Sequence, residues 1–195
     1  MDLFGHSASG ETALLYAAEH PRRLDHLVLV CPSLRVVGIP SDLGVEEVLA
    51  LRAQEPWYAE AVGALYAEPA SAQELARYRW LSAPLLHRQW NAAAQAQSAA
   101  ESAQFAEPAT EGFYADFVSD PALPERLAAL AVPVLLVAGE YDIWPTSTSV
   151  RALAALFGQA DLSLLPRIGH FPWVDDPALF AATVHEFLTR PPAPA

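Results

Sequence analysis

The sequence is poor in cysteine, in positive charge and in long apolar runs, and each shortage narrows the field. A single cysteine, Cys31, excludes an internal disulfide and any cysteine-based zinc module. Lys and Arg number 11 against 23 Asp and Glu, for a formal net charge of −12. Nucleic acid and anionic membrane surfaces need clustered positive charge and are therefore not expected partners. The longest unbroken apolar stretch, residues 130–138, contains Pro133 and is far too short to cross a bilayer. No basic segment followed by an apolar one opens the chain, so no secretory leader is expected. Charged residues are only 17% and hydrophobic residues 53%, a balance that excludes disorder. A chain of 195 residues can bury a substantial core without staples. The expectation is a soluble protein of a reducing compartment, the cytoplasm.

What is present falls into three zones. Residues 1–34 open with a short apolar run, Met1 to Phe4, then a small-residue turn from Gly5 to Gly10. Ala13, Leu14, Ala17 and Ala18 recur at helical spacing until Pro21. Leu27 to Cys31 is a continuous aliphatic run, as a buried parallel strand requires. Residues 35–123 are rich in Ala, Glu and Gln and predict helices over 44–54, 57–67, 72–81 and 84–101. Residues 124–190 return to alternation, with strands at 132–138 and 161–165 and helices near 149–157 and 177–188. The proline-rich tail, 191–195, is expected to fray. The pattern is α/β with a helical insertion.

Three segments carry residues capable of chemistry. Gly5-His6-Ser7-Ala8-Ser9-Gly10 lies between a strand and a helix. Small residues two before and two after Ser7 would let the backbone turn sharply and project the hydroxyl, and the Ala8 amide would point toward a developing oxyanion. Alone, the same residues describe an ordinary helix cap. Asp142 follows the strand at 132–138; alone, it describes a loop acid or an N-cap. His170, in Gly169-His170-Phe171-Pro172-Trp173, follows the last strand and alone describes a structural loop histidine. Serine, then acid, then histidine, each after a strand, is the chain order of one known catalytic triad.

On these three segments the sequence resembles the α/β-hydrolase superfamily, with 134–142 similar to its acid strand and 169–173 to its histidine loop. The Gly-His-Ser elbow and the segment Tyr16 to Pro21 are similar to proline iminopeptidase-like and related ester hydrolases. The resemblance implies a partial parallel sheet flanked by helices, with residues 35–123 as a helical cap. It implies a Ser7 nucleophile, a His170 base, an Asp142 orienting acid and an oxyanion donor at Ala8, with no metal or organic cofactor. The expected partner is a small ester or amide. His6, Trp80, Trp90 and Phe113 are expected to shape the pocket. Acids in the cap, Glu101 and Glu107, are candidates to hold a substrate amine if the activity is that of an aminopeptidase, the alternative being that both lie on solvated helix faces.

Family members place several strands before the elbow, whereas this sequence starts at the elbow strand. On the order of a third of the usual fold is thus expected to lie outside it. Met1 is then read as an internal methionine of a longer protein, the alternative being that another chain or a second copy covers the strand edge. Two further readings stay open: a non-catalytic fragment or binding protein, and a triad serving haloperoxidase-like or lyase chemistry.

Overall fold

The structure, a computed structural model, describes residues 1–115 and 120–190, except for the side chains of Glu107 and Tyr114. The tail 191–195, expected to fray, lies outside the described residues. Four strands form one parallel sheet in sequence order: β1 (Asp2–His6), β2 (His26–Val30), β3 (Val134–Gly139) and β4 (Asp161–Leu165). Every residue of β2 and β3 is buried, which is why both read as unbroken aliphatic runs rather than alternating ones.

The alternation is present in the packing instead. Leu27, Leu29, Val134 and Leu136 face one layer, made by α1 (Ala8–Glu19), α7 (Leu123–Ala128) and α8 (Ser147–Ala154). Val28, Val30, Leu135 and Val137 face the other, closed by Ile168 and by Phe187 of α10 (Pro177–Leu188). A period of two in side-chain direction thus serves two apolar layers at once.

Between β2 and β3 the chain builds the helical insertion: α2 (Val45–Ala50), α3 (Tyr58–Leu65), α4 (Ala72–Ser82), α5 (Ala92–Gln104) and α6 (Glu107–Tyr114). A separate apolar cluster of Val48, Leu49, Ala61 and Leu85 holds α2 and α3 and takes Ile143 from the loop after β3. The helix predicted over 84–101 is broken. Residues Ala83–Leu86 form a 3-10 turn, His87 is extended, and Asn91 caps α5 by accepting from the amides of Ala93 and Ala94. Asn at the cap position satisfies helix donors that an uninterrupted helix would not leave free. No helix among the described residues is long and apolar enough to cross a membrane.

Candidate active site

All the chemistry-bearing loops leave the carboxyl ends of the strands. Backbone bonds hold those ends level, Ser7 N–H donating to Val30 O, Cys31 N–H to Val137 O and Glu140 N–H to Leu165 O. Ser7 follows β1 directly and sits at φ 51°, ψ −125°, a strained conformation for a non-glycine residue. The space around it explains how the strain is held. A Cβ on Gly5 would lie 2.8 Å from the Gly10 Cα, and one on Gly10 would lie 2.6 Å from the Pro32 Cβ. Ser9 closes the turn, its hydroxyl donating to His6 O at 2.8 Å and accepting from His6 N–H at 2.9 Å. Ala8 is the first residue of α1, so its amide is one of the leading donors that the helix itself cannot pair.

Asp142 is fully buried, and its two oxygens divide the work. Oδ1 accepts from the Trp144 amide at 2.9 Å, and Oδ2 accepts from His170 Nδ1–H at 2.9 Å. That second bond fixes the tautomer of His170 and leaves Nε2 as an acceptor. Burial lowers the pKa of His170, but the charge of Asp142 and its hydrogen bond, with a further contribution from Glu101, outweigh it and leave the pKa raised. Cys31 lies behind the pair. Its thiol is pushed well above its ordinary value by burial and by Asp142. Donor atoms of Cys31, Asp142 and His170 lie within 4.8 Å of one another. A metal there would have to replace the Asp142–His170 hydrogen bond.

Ser7, Ala8 and His170 open onto a cavity of about 1370 Å³ roofed by the insertion. Trp80, Phe105, Phe113 and Trp144 supply aromatic wall, while Arg79 and Glu101 bring charge. The guanidinium of Arg79 lies 3.8 Å above the Phe105 ring. Of the residues expected in the pocket, Trp80 and Phe113 line it. Trp90 stands behind Trp80, ring centroids 5.3 Å apart, and beside His87. His6 sits beneath His170, not in the cavity wall; its Nε2–H donates to His170 O at 2.9 Å, and its ring meets Trp173 edge-on. Burial, with help from the neighbouring His170, lowers the pKa of His6 to about 4. Glu101 lines the cavity, whereas the Glu107 side chain lies outside the described residues.

Residues 2–183 match the alpha/beta hydrolase family. The chain belongs to that family. A Bacillus subtilis (strain 168) protein named "Putative 2-succinyl-6-hydroxy-2,4-cyclohexadiene-1-carboxylate synthase" is 26% identical over 196 residues, covering 96% of this chain and 65% of that protein. Among solved structures, the esterase RhEst1 from Rhodococcus sp. ECU1013 matches with TM-score 0.71 and 20% identity, over 96% of this chain and 64% of its own. The 2-hydroxy-6-oxo-6-phenylhexa-2,4-dienoate hydrolase of Rhodococcus sp. strain RHA1 matches at 0.63 and 16%, over 96% and 63%. The chain thus spans a little under two thirds of the length of these proteins.

This alpha/beta hydrolase also holds groups that sequence reasoning missed. Glu11, on the first turns of α1, is buried and accepts from Arg35 Nη2 at 2.7 Å and Ser33 Oγ at 2.8 Å. Arg35 also donates to Phe113 O at 2.9 Å, linking the elbow helix to the insertion along the cavity wall. Nothing local marks such a pair. The only available signal was an acid within an otherwise apolar helix face.

Proposed function

We propose that the chain is a serine hydrolase acting on a small ester or amide, with Ser7 as nucleophile, His170 as base and Asp142 as orienting acid. The observation that carries the reading is the buried Asp142–His170 pair at 2.9 Å, opening on the same cavity as a serine held in a strained strand-to-helix turn. His170 Nε2 takes the Ser7 proton as the oxygen attacks the carbonyl carbon, while Asp142 stabilises the imidazolium that forms. The Ala8 amide donates to the oxyanion. Collapse of the tetrahedral adduct breaks the bond to the leaving group, which takes the proton from His170. Water, activated by the same histidine, then releases the acid and restores Ser7. Residues 35–123 act as the cap that encloses the substrate.

The aminopeptidase form of this reading has one observation in its favour. Glu101 lines the cavity, and its charge reaches His170, as a carboxylate holding a substrate amine near the scissile bond would. Equal rates on an aminoacyl amide and its N-acetylated form would remove that form and leave the hydrolase reading standing.

The test of the whole is the intact mass of the purified chain after treatment with a fluorophosphonate, with Ser7→Ala alongside. One adduct on the parent, lost in Ser7→Ala, is expected, and turnover should fall by about 10⁴-fold or more in the variant. An unmodified parent, or an adduct that survives in Ser7→Ala, overturns the assignment and favours a non-catalytic binding role.

A further inference from the structure

His87 is fully buried in the insertion, and the catalytic scheme does not use it. Its Nε2 lies 3.2 Å from Ser98 Oγ, and its Nδ1 lies 3.6 Å from Asp175 Oδ1. The ring stacks on Phe171 with centroids 5.1 Å apart. Nε2 shares a hydrogen bond with the Ser98 hydroxyl, whereas Nδ1 faces the Asp175 carboxylate from beyond hydrogen-bond distance and is left without a hydrogen-bond partner among the described residues.

The side chain of Asp175, on the one-turn helix α9 (Pro172–Asp175), is buried as well, and its second oxygen is fully engaged. Oδ2 accepts from the Gly169 amide at 2.7 Å and from the Arg88 amide at 2.8 Å. Gly169 immediately precedes His170, and Arg88 immediately follows His87. One carboxylate oxygen therefore joins the loop that carries the base to the insertion. The backbone closes the same seam, His170 N–H donating to Leu86 O at 2.8 Å. The approach is so close that a Cβ on Gly169 would fall 2.2 Å from that carbonyl oxygen. Arg52, also buried, secures the insertion side by donating to the carbonyls of His87 and Arg88.

We propose that Asp175, backed by His87, is a positioning residue that fixes the backbone of His170 against the helical insertion, so that the base is correctly presented only when the insertion is docked. The proposal rests on the reading of His170 as the catalytic base. Asp142 holds the imidazole from the ring side but cannot hold the main chain; Asp175 holds the main chain and touches no substrate. Ser98 lines the cavity, so the seam runs from substrate space through His87 and Asp175 to the amide beside His170.

The experiment is a pH titration of His170 by NMR in the histidine-labelled chain, comparing the parent with Asp175→Ala and Asp175→Asn. The groups facing His170 are Asp142, His6 and Glu101, with the Cys31 thiol behind Asp142, and these are unchanged in the variants. The Asp175 charge, which reaches Cys31, is removed alike in both, so the difference between Asp175→Ala and Asp175→Asn reports position rather than charge. Release of the Gly169 amide should loosen the Asp142–His170 bond. The His170 midpoint should then fall by about one pH unit, with the downfield Nδ1 proton broadened or lost. Fluorophosphonate labelling of Ser7 should slow about tenfold in parallel. Asp175→Asn, nearly isosteric, is the variant that decides if Asp175→Ala does not fold; its midpoint should also fall, by less. A folded variant that keeps the parental midpoint and ring signal overturns the proposal, since a carboxylate that only adds stability would lower the unfolding midpoint without moving that titration. A parent chain that takes no fluorophosphonate removes the serine-hydrolase reading, while the titration still decides the positioning role.

Discussion

The rings of His6 and His170 stand 4.7 Å apart, yet the fold drives their protonation in opposite directions. For His6, burial and the neighbouring His170 outweigh the raising effects of its hydrogen bond to His170 O and of the Asp142 charge, and its pKa falls from the ordinary 6.5 to about 4. His170 has Asp142, and its pKa rises despite burial. Between pH 6.5 and about 4 the unfolded chain therefore binds a proton at position 6 that the folded chain refuses. Folding stability must fall as pH falls through that window, by up to about 3 kcal/mol from this residue. For His170 the sign is reversed. Its contribution is fully present below pH 6.5 and is lost as pH rises through its folded value. Acid sensitivity should accordingly trace to His6: in His6→Gln the urea midpoint should change much less between pH 6.5 and 4 than in the parent. Equal slopes in the two proteins would assign the acid loss to other groups.

The elements show which parts of the sequence could be read and which could not. β2 and β3 were legible because both faces of a parallel strand are buried, and β4 and α10 because punctuation by Pro, Gly and Asp brackets them. The elbow was legible because a sharp turn demands small residues at fixed offsets from Ser7. What escaped was contact between distant positions. The pairs His87–Asp175 and Glu11–Arg35 are each trivial in sequence and close only when loops meet. The break at His87 escaped because the alanine-rich segment that follows, from Ala92 on, favours helix strongly enough to mask it. Two glycines test the same logic at opposite sign. Gly63 lies within α3 with nothing within 4 Å of an added Cβ, so Gly63→Ala should stabilise by about 0.5–1 kcal/mol. Gly10 lies within α1, where propensity offers the same gain, but its Cβ would meet the Pro32 side chain and backbone. Overpacking costs about 1–3 kcal/mol and should win. Gly10→Ala should therefore lower the urea midpoint and slow labelling of Ser7, because α1 and the elbow move as one. A stabilised Gly10→Ala would mean that the helix gives way without disturbing the turn.

At the scale of the whole molecule two forces oppose each other. β1 pairs only with β2 among the described strands, and along its unpaired side Met1 is 53% exposed and Phe4, whose ring meets Phe180 of α10 edge-on, is 48% exposed. An apolar edge with open backbone donors and acceptors is a template for a second strand, and a second copy of this chain carries one. Against that stands a net charge of −12 on every copy. Salt decides between them, because the screening length shortens from about 30 Å at 0.01 M to about 8 Å at 0.15 M. Sedimentation velocity should show a larger associated fraction at the higher salt at equal protein concentration. Phe4→Lys separates the two forces by sign. It lowers the net negative charge, which would favour association if charge alone mattered, yet it places a solvated ammonium on the edge, which should suppress strand pairing. The expected result is less association than the parent at 0.15 M salt; a variant that associates as well or better would place the contact away from β1.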